Sequence, residues 1–268
     1  MAREDCAMCH GTGWKLVPRA ADTPGKMAVA CECGMQERSE MVMERARIPK
    51  RYEHCDFESY VTDLEDGKTW SPAHTASLKF AKQWTEKFTN DYPGASEKGL
   101  LLIGPSGVGK THLAVAALKE LIQRGHNGLF CDYRELLKEI QASYNPASES
   151  TEMKILEPVR TAEVLVIDDL GASKPSDWVR DIVGIVLNAR YNENRTTIIT
   201  TNYLDNPQSD GETTRLPGGK LVEAVREDSL EKRIGTRMRS RLYEMCRTLE
   251  VYAPDFRRES TRAGRARA

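Results

Sequence analysis

No run of apolar residues in this 268-residue chain approaches the ~20 that a membrane-spanning helix needs. The opening residues, Met1-Ala2-Arg3-Glu4-Asp5-Cys6, carry no apolar signal core. Both absences argue against a membrane protein and give the cytoplasm as the expected location. A reducing compartment sets disulfides aside, so the seven cysteines read as thiols or metal ligands. A strong charge of one sign is also missing, the formal net charge being −1. With 40% hydrophobic and 29% charged residues the composition is that of a globular chain, not a disordered one. The length suits one large domain, or a medium domain with a small appendage. The near-neutral total hides an asymmetry. From Arg226 to the end twelve Lys/Arg stand against seven Asp/Glu, a balance of +5, which leaves −6 for the rest. A basic end on an acidic body can touch nucleic acid or an acidic partner. Any single charge there reads equally well as part of a solvated face.

What is present is led by Gly104-Pro105-Ser106-Gly107-Val108-Gly109-Lys110-Thr111. Apolar Leu100-Leu101-Leu102-Ile103 precedes it and His112-Leu113-Ala114-Val115-Ala116-Ala117-Leu118 follows, which predicts a buried strand, a glycine-rich turn and a helix. The spacing G-x-x-x-x-G-K-[ST] is that of a phosphate-binding loop. Its glycines let the backbone turn tightly, so that several N–H groups point at one anion. The helix that follows adds its positive dipole end. Lys110 is placed to reach the β- and γ-phosphates, and the Thr111 hydroxyl to bind Mg²⁺.

Four of the seven cysteines fall in the first 33 residues as two close pairs, Cys6-Ala7-Met8-Cys9 and Cys31-Glu32-Cys33. Thiolates at such spacing suit one tetrahedral Zn²⁺. So short a segment cannot build a core alone, and a metal would supply the missing stability. C-x-C is a tighter and less common spacing than C-x-x-C, and His10 could replace one cysteine. The site reads as structural, because no open position or general base is evident. A Met-rich amphipathic helix is predicted over residues 35–47. After it Ile48-Pro49, Arg51-Tyr52, Phe57 and Tyr60 form an ordered connector, with a linker at residues 63–67.

In the main body Ser71-Pro72 starts a helix on which Phe80, Trp84 and Phe88 are expected to face inward. A second strand is predicted over residues 128–131, then a helix through Leu136, Leu137 and Ile140, and a short helix around Met153, Ile155 and Leu156. Residues 163–167 form an apolar strand that delivers Asp168 and Asp169 at its C-terminal end, the edge at which open α/β sheets bind ligands. Asp168 would orient the Mg²⁺ water shell, and Asp169 would polarise the attacking water, a task often given to Glu. Residues 195–202 read as a β-branched strand ending in Asn202, a candidate to hold the attacking water or the γ-phosphate. Taken alone, such an Asn reads as a turn former. Residues 205–224 read as a long loop. Ser229 caps a last helix with an apolar stripe of Leu230, Ile234, Met238 and Leu242, and a parallel stripe of Arg233, Arg237 and Arg241. One of these arginines could serve a neighbouring subunit as an arginine finger. A final strand is expected over residues 248–252, then a disordered tail from Arg257.

The phosphate loop, Val166-Ile167-Asp168-Asp169-Leu170-Gly171, the Thr200-Thr201-Asn202 strand end and Arg237-Met238-Arg239-Ser240-Arg241-Leu242-Tyr243-Glu244 occur in one order. In that order the chain resembles the AAA+ helicase loaders of the DnaC/DnaI type and the related IstB transposition helper ATPases, over about residues 48–258. The resemblance implies an α/β fold: an AAA+ P-loop NTPase domain with a parallel central sheet. Only 27 residues follow Arg241, too few for the usual helical lid, so a reduced lid is expected. Matched by position, Lys110 and Thr111 are Walker A, Asp168 and Asp169 are Walker B, and Asn202 is sensor 1. Arg241 is the first choice for the finger and Arg237 the second. The cysteine-bearing front end is similar to the zinc-bearing, helicase-binding region of loaders and is not expected in typical IstB proteins. The helices between 133 and 161 lie where the initiator clade carries an extra helical element associated with single-stranded DNA.

The domains implied are a zinc-binding, helicase-interacting unit at 1–66, an ATPase unit at 67–258 and a basic tail at 259–268. The function implied is ATP-dependent loading of the replicative DNA helicase onto single-stranded DNA, in a bacterium or a phage. The implied cofactors are ATP/ADP, Mg²⁺ and Zn²⁺. Hydrolysis would be slow and would depend on homo-oligomer assembly through the ATP site, and no membrane is involved. Three other readings are carried: an IstB-like helper of a transposase on duplex DNA, a P-loop kinase, and a module that binds ATP without turning it over. Asp169 in place of the commoner Glu keeps the last of these open.

Overall fold

A computed structural model of the chain describes residues 5–18, 26–31, 33, 43–63, 70–94, 98–205 and 229–258. The linker residues 64–67, most of the expected Met-rich helix, the loop from 206 to 224 and the tail from 259 lie outside them. Near the N-terminus β1 (Trp14–Pro18) and β2 (Lys26–Ala30) form an antiparallel hairpin in the register Trp14↔Ala30 and Leu16↔Ala28. The main body then runs α1 (Pro72–Asp91), β3 (Gly99–Ile103), α2 (Lys110–Gln123), β4 (Gly128–Asp132), α3 (Tyr133–Ser143), α4 (Glu152–Thr161), β5 (Val164–Asp168), α5 (Asp177–Asn192), β6 (Thr196–Thr201), α6 (Leu230–Ile234), α7 (Thr236–Met245) and β7 (Arg247–Glu250). Among the described residues no helix is long and apolar enough to cross a membrane.

Strands β4-β5-β6-β3-β7 make one parallel sheet in that order. Both faces are covered, which explains the near-continuous apolar runs. Alternation along each strand divides the core in two. Leu101, Ile103, Leu165, Ile167 and Ile199 pack with α3 to α7. Leu100, Leu102, Val164, Val166 and Ile198 pack with α1, α2 and residues 46–60. Caps set the helix starts: Ser71, Asp132, Thr151, Ser176 and Ser229 each accept a backbone N–H from the first turn of the helix that follows. Arg190, fully buried, donates to Thr197 Oγ1 at 2.9 Å and to the carbonyls of Val159 (3.1 Å) and Ala162 (2.9 Å). It ties the end of α4 to β6.

Three expectations are corrected. Phe80 is 47% exposed, and the buried face of α1 is Leu78, Ala81, Thr85, Phe88 and Thr89. Steps of four overshoot the 3.6-residue turn, so a stripe at i, i+4, i+8 drifts, and Phe80 ends at the rim, 6.0 Å from the Trp84 ring. The last helix is two, broken at Gly235 (φ 86°, ψ 148°), although its stripe of Leu230, Ile234, Met238 and Leu242 is buried throughout. Residues 43–63, grouped by sequence with the cysteine segment, pack on the main body instead. Ala46, Cys55 and Tyr60 belong to its core, and Phe130 N–H donates to Ala46 O at 2.7 Å.

Candidate nucleotide site

The phosphate loop runs between β3, which lies between β6 and β7 in the sheet, and α2. Gly107 (φ 84°) and Gly109 (φ 90°) lie in the left-handed region, where a side chain is strained. Their α-hydrogens also face close neighbours. A Cβ on Gly107 would come within 1.9 Å of Asp255 Oδ1, and one on Gly109 within 2.5 Å of Tyr60 Cε2. Lys110 is buried and folds back on the loop: its Nζ donates to Gly104 O, Pro105 O and Asn202 Oδ1, each at 2.7 Å. Burial lowers its pKa to about 8, with Asp169 and Asp168 opposing.

Beside it, Thr111 Oγ1 and Thr200 Oγ1 each donate to Asp168 Oδ1 at 2.7 Å. Burial raises the Asp168 pKa and the two hydroxyls restrain the rise. A carboxylate and a hydroxyl in contact, both oxygen donors, fit a Mg²⁺ ion with water completing its shell. Asp169 turns out of the strand in the left-handed region, φ 59°, and its N–H donates to Thr200 Oγ1 at 2.9 Å. Asn202 Nδ2 donates to Asp169 Oδ1 at 2.6 Å, and an Arg134 nitrogen lies 3.5 Å from Asp169 Oδ2. Adjacency of β3, β6 and β5 thus brings Lys110, Thr111, Asp168, Asp169 and Asn202 together at one sheet edge.

These groups open on a cavity of about 840 Å³ whose other walls were not assigned from sequence. Arg51, Tyr52 and Tyr60 come from the connector, and Tyr60 OH donates to Val108 O at 3.1 Å. Arg134 comes from the first turn of α3. Phe256 and Arg257, the latter expected in the tail, come from the segment after β7. There Phe256 N–H donates to Gly107 O at 3.1 Å, and the Phe256 ring meets Trp70 edge-on at 6.4 Å. The available signal was an aromatic residue between charges, Asp255-Phe256-Arg257, and it is weak.

The arginine candidates separate by exposure. Arg241, the first choice, is half-buried with its guanidinium 5.2 Å from the Tyr191 ring centre. Arg233 stacks on Tyr203 at 4.4 Å and donates to Ser173 O at 3.2 Å. Arg237 is exposed. None of the three lies in this chain's own cavity wall.

At the other site Cys6, Cys9, Cys31 and Cys33 place their four sulfurs within 4.8 Å of one another, with Cys6–Cys31 at 3.8 Å and Cys9–Cys33 at 3.3 Å. Zn–S bonds of about 2.3 Å set tetrahedral S···S edges of roughly 3.8 Å, so the set fits Zn²⁺. The turn after Cys9 uses positive φ at His10 (48°) and Gly11 (82°), and His10 is exposed and outside the four-sulfur set. Backbone N–H groups of Met8 and then Cys9 favour the Cys6 thiolate, lowering its pKa to about 6. The hairpin resolves the C-x-C spacing, since Cys31 N–H bonds Gly13 O at 2.8 Å and so returns the second pair beside the first.

Residues 33–206, 174 of the 268, match the family described as IstB-like ATP binding protein. The chain is similar to the replicative helicase loader DnaC of Escherichia coli, 24% identical over 189 residues and covering 70% of each. It is also similar to the replicative helicase loader DnaI of Bacillus subtilis, 32% identical over 162 residues, which is 58% of this chain and 50% of that one. A solved DnaC helicase loader superposes with a TM-score of 0.57 at 30% identity, covering 76% of this chain and 100% of the other. AMPPCP-bound DnaA from Aquifex aeolicus superposes with a TM-score of 0.52 at 16% identity, over 76% of this chain and 51% of that one, a likeness of fold alone.

Proposed function

Since the chain belongs to the IstB-like ATP-binding protein family, we propose that it is an ATPase that loads a replicative DNA helicase onto single-stranded DNA. One observation supports this reading: a four-cysteine knuckle and hairpin stand on the same chain as a nucleotide site where Lys110, Thr111, Asp168, Asp169 and Asn202 converge, while Arg233, Arg237 and Arg241 all lie outside its wall. The knuckle segment grips the helicase. The nucleotide site reports whether a second copy of the chain is docked.

Within the site Lys110 leaves the carbonyls of Gly104 and Pro105 and takes the β- and γ-phosphates, which replace those oxygens as acceptors. Thr111 and Asp168 would hold Mg²⁺, which would supply positive charge against that developing on the phosphoryl oxygens. Asp169 accepts a hydrogen bond from the attacking water and orients it for in-line attack. Asn202 holds that carboxylate through Nδ2, and its Oδ1 is released when Lys110 turns to phosphate. Arg237, exposed near the start of α7, reaches the γ-phosphate of the adjacent protomer, in preference to Arg241 on Tyr191. Turnover is therefore slow in the free chain and rises on assembly.

The test is capture of the host's replicative helicase by the full chain, with and without ATP, beside an ATP-dependent binding assay on duplex DNA. Helicase capture that is lost when residues 1–42 are removed supports the loader. ATP-dependent coating of duplex DNA with no capture of the helicase overturns it in favour of a transposase helper.

A further inference from the structure

The residue after Thr111 meets the connector at the cavity wall. His112 Nε2 lies 2.7 Å from Asp56 O and 3.3 Å from Ser59 Oγ. The carbonyl accepts only, so Nε2 carries the proton and Nδ1 keeps a free lone pair. Opposite stand His54 and Cys55, with Cys55 Sγ 3.9 Å from His54 Nε2. Their segment is fixed to α2, because Lys119 Nζ donates to the carbonyls of Glu53 (2.6 Å) and Cys55 (2.9 Å). One ligand atom from each of His54, Cys55 and His112 lies within 4.8 Å of the other two. Nitrogen and sulfur ligands sharing one tetrahedral ion stand roughly 3.3–3.8 Å apart, so closing the set takes a shift of about 1 Å. His54 is exposed and supplies that freedom, while Cys55 is buried and His112 half-buried.

We propose that His54, Cys55 and His112 form a second transition-metal site, separate from the cysteine knuckle, whose ion fastens the connector to the first turn of α2. Two imidazoles and a thiolate select a borderline-soft cation such as Zn²⁺ over Mg²⁺ or Ca²⁺. The hydrogen bond from His112 to the Asp56 carbonyl is the outer-shell contact that orients a ligating histidine. Binding forms three metal–ligand bonds and releases the Cys55 thiol proton to solvent. All three residues line the nucleotide cavity, so the fourth coordination position opens toward it, to be filled by water or a nucleotide donor atom.

The proposal is independent of the loader reading. Its test is the metal content of the full chain, purified with Zn²⁺ and weighed by native mass spectrometry. The wild type should carry two zinc ions, and His54→Gln and Cys55→Ser one each. Cys6→Ser/Cys33→Ser should keep one, and Co²⁺ at that remaining site should show a thiolate-to-cobalt charge-transfer band that Cys55→Ser abolishes. His54 is exposed and Cys55 buried, so His54→Gln keeps the fold even where Cys55→Ser disturbs packing. One zinc or none in the wild type, or two retained in His54→Gln and Cys55→Ser, overturns the proposal.

Discussion

Asn202 Oδ1 accepts a hydrogen bond from Lys110 Nζ at 2.7 Å, although 92 residues separate them. The same amide donates through Nδ2 to Asp169 Oδ1 at 2.6 Å. One side chain therefore joins the phosphate-loop lysine to the acidic residue that follows β5.

From that double contact Asn202→Ala should separate binding from turnover. Lys110 gives up its contact with Asn202 when it turns to phosphate, so nucleotide affinity measured with a fluorescent analogue should change little. Asp169 loses its orienting donor, and kcat should fall by roughly 10²-fold, the cost of one positioned polar group in an active site. An equal loss of affinity and turnover would make Asn202 a structural residue.

Burial lowers the Lys110 pKa from 10.5 to about 8. Below pH 8 the free protein already carries the ammonium. Above it the ammonium is lost, and a bound triphosphate restores it. Affinity for ATP should therefore fall as pH rises from about 8 toward 10, and binding should take up a proton in that window. Titration calorimetry at about pH 9, in two buffers of different ionisation enthalpy, reads the uptake as a difference in apparent heat. Folding stability has the opposite slope. The unfolded lysine still binds a proton that the buried one has released, so the free protein gains stability across the same window. Equal heats in the two buffers would refute the assignment.

A two-stranded hairpin has no independent stability, and here Trp14 and Leu16 are 61% and 67% exposed. A metal held by the four cysteines is therefore expected to supply the order of β1 and β2. Cys9→Ser, or removal of zinc with Mg²⁺ kept in excess, should abolish amide-exchange protection across Trp14–Pro18 and Lys26–Ala30, and Cys9→Ser should leave basal ATPase activity unchanged, because the nucleotide site takes no described residue from this segment. Protection that survives metal removal would show that the hairpin folds without it.

The groups that sequence revealed are those whose chemistry is written in contiguous residues. Gly104 to Thr111 and the Asp168-Asp169 pair each carry spacing, flanking strand and residue type together, and the parallel sheet was implied by the family resemblance they help to carry. Asn202 was legible only because its strand lies beside the acidic one. Tyr60 against Gly109 and Phe256 against Gly107 join positions some 50 and 150 residues apart in chain order, and neither partner has a local signature. The break at Gly235 stayed hidden for a different reason. The apolar stripe crosses it in step, and periodicity records which face is buried, not whether the backbone is continuous.

The same limit explains the order of the two finger candidates. Sequence ranks Arg241 above Arg237 by position in a motif, and their environments support the opposite order proposed above. Arg241 rests on Tyr191 at 5.2 Å and is half-buried, so it contributes to packing of α7 on α5. Arg237 is exposed, and moving it to a neighbour's phosphate breaks no contact described in this chain. Arg237→Ala should leave ATP affinity and thermal stability as they are and lower the assembly-stimulated rate by roughly 10³-fold or more. Arg241→Ala should lower the melting temperature instead, with a smaller effect on stimulated turnover. Mixing Lys110→Ala with Arg237→Ala chains identifies the direction of the contact. Each variant alone is inactive, but a mixed assembly contains interfaces with an intact site on one chain and an intact arginine on the next, so activity should return. If the mixture stays inactive, or if Arg241→Ala shows this complementation instead, Arg237 is not the finger.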